Sequence, residues 1–92
     1  MEREQIGKVF NYYSKIGVAA VQLTAGELGL GDEIVIEGPG GSVEMRVESM
    51  QVEHRPVERA SAGQSVGIKV PGRVRPGDAV FKVRAAGEEL TP

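Results

Sequence analysis

The amino-acid sequence predicts an all-β domain, and three observations carry this expectation. Hydrophobic residues make up 40% of the 92-residue chain, about half of them are Val or Ile, and aromatic residues make up only 4%. β-Branched side chains of this kind favour pleated strands over helices. Gly, Pro and Ser interrupt the chain at short intervals, and between these turn signals apolar and polar residues alternate without a helical period.

Six segments of strand length lie between the turns. The clearest is Glu33–Glu37, in which charged and apolar residues nearly alternate, as in a strand with one solvated face. A second segment, 43–52, also alternates, but its apolar positions change parity after Glu48, which predicts a β-bulge near Glu48-Ser49. The complete set of predicted strands comprises residues 6–13, 18–23, 33–37, 43–52, 66–70 and 79–84.

Closure into a small barrel is the expected arrangement of six such strands, because closure removes the unpaired edges that invite aggregation. A β-sandwich is the alternative. Residues 1–84 are expected to form this single β-barrel domain. Residues 85–92 lack alternation and end in charged residues and Pro, so we expect a flexible C-terminal tail.

Two Gly-Asp pairs, Gly31-Asp32 and Gly77-Asp78, each precede a predicted strand. Glycine tolerates positive φ, and an Asp side chain accepts hydrogen bonds from backbone N–H groups just beyond it. The pairs are therefore interpreted as turns that set the entry angle of the following strand. A catalytic or metal-binding carboxylate pair is the less favoured alternative.

Composition also excludes several classes of site. The chain has no Cys and a single His, which leaves no thiolate or His-rich metal site, and we expect no metal and no cofactor. The longest apolar run, 16–21, is too short for a membrane span or a signal-peptide core, so a cytoplasmic protein without a membrane partner is expected. No phosphate-binding loop is present, so no nucleotide cofactor and no GTPase activity are expected.

Several motifs resemble the second domain of translational GTPases such as elongation factor Tu and elongation factor one-alpha. Residues 26–38, GELGLGDEIVIEG, match the turn-and-strand pattern G-x-[LI]-x-x-G-D-x-[VI]. Residues 47–72 resemble the following part of that domain, chiefly in MQVEHRPVE at 50–58 and AGQSVG at 62–67. Arg75-Pro76-Gly77-Asp78 resembles the closing turn of the family. As a small chain with this first hairpin, it also resembles small stand-alone elongation-factor-like proteins. Its first hairpin is also similar to the carboxy-terminal barrels of collagenase-like peptidases.

The resemblance implies a closed six-stranded, Greek-key-like barrel, in agreement with the strand count. It also places Gln51 and Ser65 at the positions where the family holds the aminoacylated end of tRNA with a Glu and an Asn. It implies no enzymatic activity, and no catalytic residue is predicted.

Charge is unevenly distributed, although the net charge is only −2. Residues 1–53 carry 4 basic and 9 acidic side chains, whereas residues 54–84 carry 7 basic and 2 acidic ones. A basic face would bind phosphates through salt-sensitive contacts, and scattered, solvated strand ends are the alternative. The residues predicted to bind RNA are Arg55, Arg59, Lys69, Arg73 and Arg75.

The Tyr12-Tyr13 pair and His54 are two further candidate binding positions. Tyr12 and Tyr13 are adjacent, so only one side chain faces outward while the other packs on the core, and edge packing is favoured over base stacking. His54 lies in a polar stretch and is interpreted as an ordinary surface residue, rather than as part of a hydrolase triad.

The function favoured by these observations is a non-catalytic module related to translation factors that binds RNA or a ribonucleoprotein. The alternative is a protein-docking or scaffold module that acts with a separately encoded partner. An enzyme is the least favoured hypothesis, because the sequence contains no recognised catalytic motif.

Overall fold

The computed structural model describes residues 2–84, with no side-chain description for the first and last of them, and within this range every regular element is a β-strand. Ten strands follow one another within residues 2–84. They are β1 (Glu2–Tyr13), β2 (Val18–Leu23), β3 (Glu27–Gly29), β4 (Glu33–Gly38), β5 (Gly41–Arg46), β6 (Met50–Val52), β7 (Arg55–Pro56), β8 (Arg59–Ser61), β9 (Ser65–Lys69) and β10 (Ala79–Arg84). The predicted all-β class is confirmed. The predicted flexible tail, residues 85–92, lies outside the described residues.

Eight strands form one antiparallel sheet in the order β5-β4-β10-β1-β2-β9-β6-β7, and β3 and β8 form a separate two-stranded ribbon. The two end strands, β5 and β7, are not paired with each other among the described residues, so the predicted closed six-stranded barrel is not confirmed. Five of the six predicted strands are present as single strands, and the predicted strand 43–52 is divided into β5 and β6. The additional short strands were missed because two or three residues are too few to show alternation.

The predicted bulge near Glu48-Ser49 is wrong in form. The chain leaves β5, which pairs with β4, and enters β6, which pairs with β9. Residues 47–49 are the irregular connection between them. The change of apolar parity therefore marks a change of partner strand rather than an inserted residue. Bulges occur instead in β1, between Gln5 and Gly7 and between Val9 and Asn11.

Both Gly-Asp turns are present and equivalent, but each Asp bonds a backbone N–H before it in the chain and not just beyond it as predicted. In each, the Asp carboxylate accepts a hydrogen bond from the backbone N–H three residues earlier: Asp32 from Gly29 at 2.8 Å and Asp78 from Arg75 at 3.0 Å. The intervening Gly31 and Gly77 have φ of 91° and 99°, which requires glycine at the third turn position. The carboxylates are thus engaged in turn geometry.

One hydrophobic core joins the sheet to the ribbon. Leu28 of β3 and Ala60 of β8 belong to the same buried cluster as Ile34 of β4 and Ile68 of β9. Within residues 2–84, nothing folds into a helix with the length and apolar character that a bilayer crossing requires. The cytoplasmic location itself stays a prediction.

Candidate functional site

The hairpin formed by β1 and β2 carries apolar side chains on its outer surface. Its tip is closed by the N–H groups of Ile16 and Gly17, which both donate to the carbonyl of Tyr13 at 3.2 and 2.8 Å. Gly17 has a φ of 66°, which suits glycine. At this tip the Ile16 side chain is 62% exposed and Tyr13 is 47% exposed.

The second bulge of β1 adds a further apolar side chain to this surface. Because the register shifts between Val9 and Asn11, the intervening Phe10 has no partner on β2. Val9 and Tyr12 pack on the core, while Phe10 and Asn11 lie outside. Phe10 is 51% exposed. The bulge therefore interrupts strict alternation and leaves an aromatic ring in solvent.

Small residues form the floor beside this apolar surface. Ala20 of β2 lies opposite Gly67 of β9, which in turn lies opposite Gln51 of β6. A Cβ added at Gly67 would lie 3.3 Å from a Val18 methyl carbon, closer than most Cβ contacts. Because Gly67 has no side chain and Ala20 has only a methyl group, the surface of the sheet is depressed at this point.

The opposite rim is formed by the turn between β6 and β7. Glu53 and His54 have φ of 53° and 65°, and they are the non-glycine residues of the described chain with positive φ. Each such residue costs about 1–3 kcal/mol and persists only where the surrounding structure enforces it. On the same rim, the Ser65 hydroxyl donates to the Gln22 side-chain oxygen at 2.8 Å.

Together these elements enclose a groove of 360 Å³, which we call the hairpin groove. It has an apolar wall on the hairpin, a floor of small residues and a polar rim. Its lining consists of Phe10, Tyr13, Ile16, Val18, Ala20, Gln51, Glu53, His54, Ser65, Val66 and Gly67.

The structure brings together two of the residues singled out from the sequence, Gln51 and Ser65, which both line the hairpin groove. Of the adjacent tyrosines, Tyr12 packs against the core and Tyr13 faces the groove, as strand alternation predicts. Phe10 and Ile16 were not predicted as site residues. The sequence contained one signal for this surface. The apolar residues of β2 follow one another without alternation, so they lie on both faces of the strand, which predicts that other side chains pack on both faces.

The five basic residues do not converge in the same way. Arg73 and Arg75 line a cleft of 210 Å³ that also contains the buried Asp78. Lys69 lines a different groove beside β5. Arg55 lies in β7 at one end of the large sheet, and Arg59 lies in the ribbon, where it pairs with Glu27 at 3.8 Å. These residues thus line different grooves, and their role as one basic face stays a prediction.

The ion pairs found among residues 2–84 lie outside the hairpin groove. Residues 2–84 contain no cluster of three or more His, Asp or Glu side chains able to hold a metal ion. The shortest ion pair among the described residues joins Arg3 and Glu37. Arg3 donates to both carboxylate oxygens of Glu37 at 2.8 and 2.6 Å and stacks over Phe81 at 4.3 Å. Hydrogen bonding to Arg3 lowers the pKa of Glu37 below its ordinary value.

The fold and groove define an all-β domain with a partly apolar groove on its surface, and several known proteins that are similar to it are named collagenase or protease. No protein-family model matches the chain. A protein named collagenase from Porphyromonas gingivalis is 40% identical over 82 residues, and an uncharacterized protease from Methanocaldococcus jannaschii is 43% identical over 81 residues. The alignments cover 88% and 87% of this chain but 23% and 20% of the relatives. The chain thus spans about a fifth of the length of these relatives.

A solved structure shares the fold over nearly its whole length. It is the C-terminal domain of a Geobacillus thermoleovorans protein assigned to the U32 peptidases, with 26% identity and a TM-score of 0.81. The superposition covers 88% of this chain and 93% of that domain. The similarity therefore lies with the C-terminal domain of such a protein.

These comparisons correct the relationship predicted from the sequence. Elongation factor 1-alpha from Hyperthermus butylicus is also similar, at 34% identity over 91 residues, but it is more distant than the collagenase-like proteins. The predicted relationship to translation factors and stand-alone elongation-factor-like proteins is wrong. The RNA-binding function built on that relationship is wrong with it, because the relatives are peptidase-family domains.

Proposed function

We propose that the chain is a non-catalytic accessory domain of the kind found at the C-terminus of U32 peptidases, and that its hairpin groove binds an extended, proline-rich polypeptide. The observation that carries this proposal is the apolar wall of the groove, in which Phe10, Tyr13 and Ile16 are each about half exposed or more. Monomeric domains rarely leave several large apolar side chains together on one surface unless that surface binds something.

The relatives support a polypeptide as the ligand. Two of the similar proteins are named collagenase, and the aligned region is a minor part of each. Collagen chains have a polyproline II conformation, in which the backbone carbonyls are not bonded within the strand. A domain that binds such a strand would hold it for a separate catalytic region.

The composition of the groove suits this ligand. Polyproline II segments dock in grooves lined by aromatic side chains, against which the proline rings pack. Phe10 and Tyr13 supply the aromatic wall. The Tyr13 hydroxyl accepts from the Asn11 amide at 3.2 Å, so its own proton remains for a ligand carbonyl. The Gln51 amide on the opposite rim provides a second donor.

We further infer that the sheet and ribbon wrap the core as a barrel-like body, which would hold the groove rigid. Leu28 and Ala60 of the ribbon share the core of the large sheet. The backbone N–H of Val47 donates to Asp32 at 2.8 Å, and the carbonyl of Val47 accepts from Gly31 at 2.8 Å. These bonds join the connection after β5 to the turn before β4.

A peptide titration tests the proposed binding. The probe is a fluorescent peptide of Gly-Pro-Pro repeats, short enough to stay single-stranded, and the comparison peptide has the same length and consists of Gly and Ser. The wild-type chain is expected to bind the proline-rich peptide, with fluorescence anisotropy as the readout. Phe10→Ala should weaken this binding at least tenfold, because a central aromatic contact is lost.

Leu30→Ala is the matched control, since Leu30 is 44% exposed and lies outside the groove. It should bind the peptide as the wild-type chain does. Circular dichroism checks that both variants keep the β-sheet signal. Equal affinity for the two peptides, or equal affinity of the Phe10→Ala and Leu30→Ala chains, would show that the groove is not the binding surface.

A further inference from the structure

The outer edge of β5 has a self-complementary charge pattern. Within the described residues β5 pairs only with β4, so it forms one end of the eight-stranded sheet. Its last three residues are Glu44, Met45 and Arg46, and read in the opposite direction the charges exchange places. An antiparallel second copy would therefore place Glu opposite Arg twice, about a two-fold axis at Met45. A two-fold interface requires such self-complementarity.

The charges on β4 and β5 favour one register for a pair of β5 strands. Across β4 and β5, Arg46 lies opposite Glu33 and pairs with it at 3.7 Å, whereas Glu44 lies opposite the apolar Val35. The Glu44 carboxylate thus faces no charge on β4. In a pair of β5 strands centred on Met45, each Arg46 would lie between Glu33 of its own chain and Glu44 of the other. Centring on Glu44 would place two like charges opposite each other, which destabilises a strand pair.

Two open grooves adjoin these three residues. One, of 400 Å³, is shared with β4, β1 and β10, and the other, of 500 Å³, lies between β5 and the segment Lys69–Pro71. The strand ends at Arg46, and the backbone N–H and carbonyl of the following Val47 bond to Asp32 and Gly31 on the β4 side, away from the outer edge. The side chains of Glu44 and Arg46 are exposed, and Met45 packs partly on the core.

We propose that a second copy of this chain docks on β5 in antiparallel orientation, so that two sheets join into one across a two-fold axis. Edge strands usually carry charges that block such pairing, but opposite charges two residues apart attract a reversed copy of the same strand. The hairpin groove lies on other strands, so this proposal is independent of peptide binding.

Analytical ultracentrifugation of the full chain over a range of concentrations tests the proposal. The wild-type chain should show a monomer–dimer equilibrium. Glu44→Arg places Arg opposite Arg at both pairs and should weaken association about tenfold or more. Arg46→Glu should do the same by placing Glu opposite Glu. An equimolar mixture of the two variants restores both attractive pairs and should form a mixed dimer, which native mass spectrometry identifies by mass.

Glu58→Arg is the matched control, an exposed Glu in the connection between β7 and β8, and it should associate as the wild-type chain does. A second measurement does not depend on charge reversal. The chain contains no Cys, so Met45→Cys introduces a single thiol at the proposed axis. Oxidation should link two such chains rapidly, and a Glu58→Cys chain only slowly.

Three outcomes would overturn the proposal. They are a wild-type chain that stays monomeric at every concentration, a Glu44→Arg chain that associates as strongly as the wild-type chain, and Met45→Cys chains that are oxidised no faster than the Glu58→Cys control. If Arg46→Glu fails to fold, the Glu44→Arg and Met45→Cys measurements still decide between the two results.

Discussion

Replacing Ile16 with alanine separates binding at the hairpin groove from folding, because most of this side chain is in solvent. Complete burial of an Ile side chain is worth about 2.5 kcal/mol. With 62% of Ile16 exposed, roughly 1.5 kcal/mol of that remains for a ligand to gain by covering it. The buried remainder contributes about 1 kcal/mol at most to the free energy of unfolding.

The expected consequence is therefore larger for affinity than for stability. A loss of roughly 1.5 kcal/mol corresponds to about a twelvefold rise in Kd. Alanine retains the β-carbon, and ordering of the ligand offsets part of the free energy gained on binding. We therefore expect the Kd to rise by about five- to tenfold. The unfolding free energy should fall by less than about 1 kcal/mol.

Isothermal titration with the Gly-Pro-Pro peptide measures the affinity, and urea unfolding measures the stability. Leu30→Ala again serves as the control, because its 44% exposure predicts a comparable change in stability with no change in affinity. If Ile16→Ala and Leu30→Ala lower peptide affinity equally, the loss comes from the fold and not from the groove. An unchanged affinity in Ile16→Ala would refute the assignment of the hairpin tip to the binding surface.

Two further predictions concern the framework that holds these surfaces. Gly7→Ala should lower the unfolding free energy by about 3 kcal/mol in urea titrations, because the added Cβ overlaps the backbone carbonyl of Gln22 on the paired strand. Gly40→Ala, where a Cβ meets no atom within 4 Å, should unfold at nearly the wild-type urea concentration, and a similar loss in both variants would contradict the steric argument. The lowered pKa of Glu37 predicts that its ion pair with Arg3 stabilises the fold above the ordinary pKa range of glutamate, about 4.3, and is lost as the pH falls through the lowered value. The stability difference between the wild-type chain and Glu37→Gln, measured by urea unfolding from pH 7 to pH 2, should therefore shrink in acid, and a constant difference would exclude the ion pair as its source.

Particular elements show why part of the fold was predictable from local sequence. Residues 33–37 nearly alternate between charged and apolar side chains, and they form β4 almost as predicted. The equivalence of the turns at Asp32 and Asp78 was also visible, because a turn with glycine at positive φ is encoded within four residues. By contrast, the two residues of β7 form a strand only because β6 lies beside them.

The candidate site was predictable only in fragments. The family resemblance placed Gln51 and Ser65 at a pocket, and both do line the hairpin groove. The ligand implied by that resemblance was wrong, since the more similar proteins are collagenase-like. Phe10 was missed because its exposure depends on a bulge in β1. The bulge arises from the register between β1 and β2, which the sequence of β1 alone does not specify.

The amino-acid sequence by itself determined the all-β class, the position of the main strands and the two Gly-Asp turns. Each of these follows from alternation or turn chemistry within a few neighbouring residues. The tertiary structure alone decided that β5 ends the large sheet and that the hairpin tip at Ile16 faces the turn at His54. Those arrangements depend on pairing between strands far apart in the chain, where burial of a shared core selects the register.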